Sequence, residues 1–365
     1  VEPLFNSDGL TKPGPAFINT PLDTKGNTYL HELCLRNAPP ALIREAVQKL
    51  GADVNARNSN GFSPLGNAIL KSSPATVACL IELGAEIYYP AGKNIFNATH
   101  LAASAGREDI LDVVLKNGGG KYVNDGGMNE YGTAETLPPL HMAVKKYHYK
   151  LIEPLIKAGA WPDAEAGYDK LTALHIAANN EAAGPMAQLI RLGADINRKS
   201  GDKGQTPLQY AAQLDRPQAA ELLLRKGADI HAEDKQGMTA LMLAASQGNS
   251  RVIEKILAFD RDVDRRRNGA DHETALMKAA HKGNTATVEL LLKAGANPLL
   301  ADDFNRTAAK YAEDSPNTSN SNWEYQGGYS HNTGNNNQRT RTILREAEDK
   351  AAQKFYEKKY KGHRP

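Results

Sequence analysis

The side chains best equipped for chemistry are a set of histidines. His31, Glu32 and Cys34 fall within four residues and would place a base, an acid and a thiol along one short segment, and His100, His141 and His175 follow further on. A thiol nucleophile needs its base within hydrogen-bond reach, a third group to orient that base, and donors for the oxyanion. The His31-Glu32-Leu33-Cys34 run offers the first pair and neither of the others. Zinc needs converging nitrogen or sulfur ligands at about 2 Å. The only two cysteines, Cys34 and Cys79, form no compact set with the histidines. The chain also lacks a phosphate-binding Gly-Lys-Ser/Thr phrase and a strand-associated Gly-x-Gly-x-x-Gly phrase. The many carboxylates cannot be paired as general acid and base from sequence alone. Four arginines in seven residues (Arg261, Arg265, Arg266, Arg267) could clasp acidic groups by directed hydrogen bonds, although Asp262 and Asp264 between them reduce the local charge.

The histidines recur for another reason. Each ends a similar phrase: Thr28-Tyr-Leu-His31, Asn97-Ala-Thr-His100, Pro138-Pro-Leu-His141 and Thr172-Ala-Leu-His175. The same column continues without histidine in Ser63-Pro-Leu-Gly, Thr206-Pro-Leu-Gln, Thr239-Ala-Leu-Met, Thr274-Ala-Leu-Met and Thr307-Ala-Ala-Lys. Successive phrases start 35, 34, 41, 34, 34, 33, 35 and 33 residues apart. Self-similarity at this period marks a solenoid of paired helices. Thr or Ser at the start can cap orphan N–H groups, and Pro64 and Pro207 stand where a missing N–H costs nothing. Ala177-Ala178, Ala211-Ala212, Ala244-Ala245 and Ala279-Ala280 let neighbouring helices approach. Gly51, Gly84, Gly159, Gly193, Gly227 and Gly295 are placed to end second helices with positive φ, and the Ala-Asp-Val/Ile-Asn phrases that follow are expected to project as extended turns.

Together these phrases resemble ankyrin repeats over roughly residues 26–314. The resemblance implies an all-α solenoid of helix-loop-helix units joined by short hairpin turns. It also implies binding of another protein by the concave face that first helices and turn tips form. It assigns the histidines to supporting the turns and helix starts. Ankyrin domains serve as recognition modules in eukaryotic regulators and bacterial effectors alike, and the resemblance names no partner, because each unit contacts only its neighbours and leaves partner-facing positions free to vary.

The departures from the pattern subdivide the chain. Residues 1–25 read as a Pro-rich leader or cap, and 26–314 as about eight repeats with a half-repeat at Asn305–Asp314 that never supplies its second apolar helix. Residues 315–338, rich in Asn, Ser and Gly, read as a flexible linker. Residues 339–365 read as a basic C-terminal helix with nine basic and four acidic residues. Ile343, Leu344, Ala347, Ala351 and Phe355 share one side of that helix, so it is expected to fold back and cover the exposed end of the stack. The third unit replaces its Leu with Thr99 and ends in Gly118-Gly119-Gly120 before a connection through Tyr122, Tyr131 and Thr136, either a binding lip or a tolerated loop. In the seventh unit Asp260 takes the place of the capping Gly.

A net charge of +2 gives no general field toward nucleic acid or lipid. No apolar run is long enough to cross a bilayer, and the first 25 residues lack the order of a signal peptide. Two cysteines at small, apolar helical positions read as buried thiols and favour a reducing compartment. The expectation is therefore a cytoplasmic, monomeric, non-catalytic adaptor without cofactor or metal. Its alternatives are an effector acting in a host cell, a self-associating scaffold, and an enzyme built into divergent repeats. The expected partner site is the concave surface of units five to eight. Tyr210, Met242, Leu243 and Met277 would supply apolar contacts, and Arg198, Lys203, Lys235, Arg265, Arg266 and Arg267 polar ones near turn tips. Tyr210 and Leu243 fit a packing role equally well.

Overall fold

The computed structural model describes residues 5–6, 9–10, 14–88, 97–126, 137–269, 271–315 and 333–360. Residues 316–332 of the expected flexible linker 315–338, most of the connection after Gly120, and the end of the chain lie outside them; residues 333–338 of that expected linker are helical. Apart from a two-residue antiparallel pair, Phe5–Asn6 with Gly9–Leu10, and isolated bridges at hairpin bases, the described residues are helical and looped. The helices come in pairs: α1 (Tyr29–Leu35) and α2 (Pro40–Arg44); α3 (Pro64–Lys71) and α4 (Pro74–Glu82); α5 (Ala98–Ala105) and α6 (Glu108–Lys116); α7 (Pro139–Lys145) and α8 (Ile152–Lys157); α9 (Ala173–Asn179) and α10 (Ala183–Arg191). Then follow α11 (Pro207–Gln213) and α12 (Pro217–Arg225), α13 (Ala240–Gln247) and α14 (Ser250–Phe259), α15 (Ala275–His281) and α16 (Thr285–Lys293), and finally α17 (Ala308–Glu313) and α18 (Thr333–Tyr360). The chain divides into two compact units, 1–176 with 184–194, and 177–183 with 195–365.

Within each unit like packs on like. In the first, α1, α3, α5 and α7 follow one another, and α2, α4 and α6 do the same; in the second, the rows are α11-α13-α15-α17 and α12-α14-α16-α18. The motif itself explains the packing. The Oγ atoms of Ser63, Thr206, Thr239 and Thr274 each accept the N–H three residues on, and the motif leucines Leu65, Leu140, Leu174, Leu208 and Leu276 are at most 1% exposed. The alanine pairs are fully buried, so no longer side chain fits between consecutive first helices. Thr99, in the leucine column of the third repeat, is also fully buried and satisfies its hydroxyl by donating to the Gly119 carbonyl at 3.0 Å. Gly227 ends α12 at φ +89°, as the column predicts. Asp260 in the same column instead leaves α14 with φ −143°, so the chain exits extended.

The short α17 does acquire a second helix. At α16, Asn284 just before the helix and Thr287 and Leu291 within it face the preceding repeat; in α18, Asn337, Thr340 and Leu344 stand at the same spacing and are 4%, 0% and 0% exposed. Thr340 Oγ1 lies 2.7 Å from Thr285 Oγ1, just as Thr287 Oγ1 lies 3.3 Å from Ser250 Oγ one repeat earlier. Arg341 donates to the Ala312 and Glu313 carbonyls, Arg339 pairs with Glu289 at 2.9 Å, and Arg345 pairs with Glu313. Here α18 begins at Thr333, six residues before the helix expected from sequence, and occupies the place that a second helix takes in the other repeats. The expected apolar cover is narrower than its stripe. Leu344 is fully buried, Ile343, Ala347 and Ala351 are half-buried, and Phe355 is 61% exposed, because α18 outruns the helices it packs against.

Candidate partner-binding surface

The motif histidines are structural. His141 Nε2 lies 2.9 Å from the Ala164 carbonyl and His31 Nε2 lies 2.9 Å from the Phe62 carbonyl, each on the following hairpin. A carbonyl only accepts, so Nε2 carries the hydrogen in both rings. In His31 the other nitrogen can then accept the Thr28 N–H at 3.2 Å. Burial holds His100 and His141 down to about 4, so both are neutral at physiological pH. Gln209 does the same work in the second unit. Its Oε1 accepts from Thr206 N, while Nε2 donates to the Ala232 and Met238 carbonyls at 2.8 and 2.7 Å.

Met242 and Met277 occupy this column too, which corrects the expectation that they offer apolar contacts. Each is 1% exposed, and Leu243, the next residue, is 6% exposed. The third helical position points at the next hairpin, and an apolar side chain there fills the core. The sequence already held the signal, since both methionines align with His175. Tyr210 is half-buried at the position after Gln209 and remains accessible.

The basic residues separate by environment. Arg198, Lys203, Lys235 and Arg266 are exposed on successive hairpins, with Arg261 exposed at the base of the third. Arg267 is turned inward: its Nε donates to the Gln236 carbonyl at 2.6 Å and Nη1 pairs with Glu273 at 2.9 Å, so it ties one hairpin to the one before. Lys278 pairs with the same buried carboxylate. Arg265 is half-buried and lines a recess of about 10 Å³ with His231, Asp260, Asp262 and Met242, room for no more than one water. The hairpins themselves are stitched together, Lys235 N–H donating to the Lys203 carbonyl and Lys235 Nζ to the Asp202 carbonyl, both at 3.0 Å.

Sequence reading missed two features. The Asn at the fourth position of the turn after a second helix, Asn55 in Ala52-Asp-Val-Asn55 and Asn124 in Lys121-Tyr-Val-Asn124, is a clip and not merely part of a projecting turn. Asn124 donates to the Gly159 carbonyl and accepts from Trp161 N, both at 2.8 Å, and Asn55 engages Gly84 and Glu86 likewise. In the seventh repeat Asp264 replaces it and accepts the Asn297 N–H at 2.9 Å; burial pushes its carboxyl up from the ordinary range. The second feature is the last hairpin, where Phe304 is 66% exposed beneath the Arg306 guanidinium, 5.0 Å from the ring centre. Arg306 is held there by Asp302, whose side chain also accepts from the Tyr311 hydroxyl at 2.8 Å. Burial alone would raise Asp302, but hydrogen bonds from Arg306, Tyr311 and Phe304 outweigh it and hold the carboxyl at about 2.

Among the described residues, no three His, Cys, Asp or Glu side chains are grouped to hold a metal ion, and no helix is long and apolar enough to cross a membrane. Cys34 and Cys79 are buried and unbridged, and burial raises both thiols, which disfavours the nucleophilic thiolate.

A family model for ankyrin repeats matches residues 140–234, 185–267 and 241–319. The human transient receptor potential cation channel subfamily A member 1 is 28% identical over 161 residues, 43% of this chain and 14% of its own length. The chicken nuclear factor NF-kappa-B p105 subunit is 30% identical over 128 residues, 35% of this chain and 12% of its own. The chain thus spans about an eighth of the length of these curated relatives. The crystal structure of the human ASB11 ankyrin repeat domain superposes with a TM-score of 0.51 at 26% identity, covering 64% of this chain and 98% of that one.

Proposed function

Given that the chain belongs to the ankyrin-repeat family, we propose that it is a non-catalytic adaptor that binds another protein through the hairpin tips and first helices of residues 195–315. The observation that carries this reading is how the side chains are divided. Motif histidines, threonines, methionines and leucines are consumed by packing, whereas Arg198, Lys203, Lys235 and Arg266 stand exposed on consecutive stitched hairpins, with Tyr210 accessible behind them. Arginine and tyrosine are the types that carry binding energy at interfaces. Phe304 under Arg306 extends the same series to the last hairpin. Arg265 and Arg267 belong to the support of this surface. The protein acts as a monomer in a reducing compartment, the cytoplasm, which suits two buried free thiols.

The test is affinity purification with the wild-type protein and with Lys203→Ala/Lys235→Ala/Arg266→Ala, after circular dichroism has verified equal folding. Exposed cations are screened by salt, so wild-type capture should weaken as salt rises and the triple variant should lose the specific partner. Equal capture of every partner by both proteins at all salt concentrations rejects the surface.

A further inference from the structure

Asparagine precedes glycine three times in this chain, at Asn60, Asn117 and Asn268. At such a step the glycine nitrogen can close on the side-chain amide carbon, because glycine brings no side chain to obstruct the approach. Closure needs an amide free to turn back on its own backbone and a glycine N–H not held in a hydrogen bond. The fold denies this at two of the three sites. Gly61 N–H donates to the Asn58 carbonyl at 2.8 Å. Asn117 Nδ2 donates to the Val113 carbonyl at 2.8 Å, and Gly118 N–H reaches the Leu115 carbonyl at 3.4 Å. Asn268 and Gly269 differ from both: they are exposed at the tip of the hairpin after α14, and neither the amide of Asn268 nor the N–H of Gly269 is engaged. Nothing lies within 4 Å of the position a Cβ would take at Gly269.

We propose that Asn268 is a site of spontaneous deamidation that rewrites the charge of the arginine-bearing hairpin. Gly269 N gives its proton to solvent base and bonds to Cγ of Asn268; the amide nitrogen leaves as ammonia and a five-membered imide remains. Water then adds to either imide carbonyl and opens the ring to aspartate or isoaspartate. The net change is amide plus water to carboxylate plus ammonium, with no oxidant or reductant. The product places a negative charge one residue from Arg267, whose guanidinium now serves Gln236 and Glu273. The isoaspartyl form also adds a methylene to the backbone. The Asn268 carbonyl already lies so close to Gly237 that a Cβ there would collide with it, so the added length disturbs the seating of this tip on the preceding one. The chemistry stands independently of any partner, while its effect on binding rests on the surface proposed above.

The experiment ages the full-length protein at mildly alkaline pH, in native buffer and in concentrated urea, and follows the three asparagine-containing peptides by mass spectrometry. In native buffer the peptide that begins at Asn268 should gain acid and split into two isomers severalfold faster than the Asn60 and Asn117 peptides. In urea all three should convert at comparable rates. Asn268 remaining intact in the folded protein while urea converts it, or all three converting alike in the folded protein, overturns the assignment. Aged wild type should then lose salt-sensitive partner capture while aged Asn268→Gln keeps it. Conversion at Asn268 with capture unchanged would leave the modification standing and refute the role of this hairpin in binding.

Discussion

At the scale of single residues, one helical position decides much of the chemistry. The ring of His141 is buried and donates to the next hairpin, and that of His100 is buried alike, so in the folded chain both resist protonation until the pH nears 4. In the unfolded chain they take up protons below 6.5. Folding stability should therefore be independent of these groups above pH 6.5 and fall as the pH drops from 6.5 toward 4. His141→Gln should flatten that fall in urea titrations across this range, because Gln209 performs the same task with an amide that does not titrate. A slope unchanged by the substitution would refute the assignment. Leu174, fully buried in the neighbouring column, should cost about 2–5 kcal/mol when cut to alanine. An unmoved denaturation midpoint would show that it packs against little.

At the scale of elements, α18 behaves as the second helix of a repeat whose first is α17. Leu344→Ala should raise amide exchange in α16 and α17, whereas Phe355→Ala, at an exposed position, should leave it unchanged. Equal effects from the two, or none from either, would separate α18 from the repeat. Much of this level was legible in sequence, because each motif residue answers to a nearby physical demand. A cap at Thr206, a positive φ at Gly227 and a buried column at Leu208 can all be read from spacing. The correspondence of Asn337, Thr340 and Leu344 with Asn284, Thr287 and Leu291 was harder to see, since the surrounding Arg339, Arg341 and Arg345 hide the apolar signal. Those arginines reach Glu289, Glu313 and helix-end carbonyls, partners that only three dimensions supply. The partner surface was half legible. Exposed lysines at hairpin tips follow from position, but residue type alone puts Met242 and Met277 on the surface, whereas their column puts them in the core.

At the scale of the whole molecule, stability in a repeat protein is approximately a sum over units and nearest-neighbour contacts. A local loss is thus confined, and a surface spread over several hairpins can change residue by residue without endangering the fold. The same additivity gives the pairing of α17 with α18 a further meaning. The ninth repeat is written in two pieces, with residues 316–332 between its helices, and its second helix carries its own contacts: a buried leucine, a matched threonine and three arginine links. Covalent linkage then serves chiefly to raise the local concentration of a ligand the chain makes for itself. A chain ending at Ser315 should accept a synthetic peptide of residues 333–360 in trans, with its melting temperature rising as peptide is added. Leu344→Ala in the peptide should abolish the rise. Since this docking is reversible in principle, a foreign helix bearing the same Asn-x-x-Thr-x-x-x-Leu spacing becomes a competitor for the last seat in the stack.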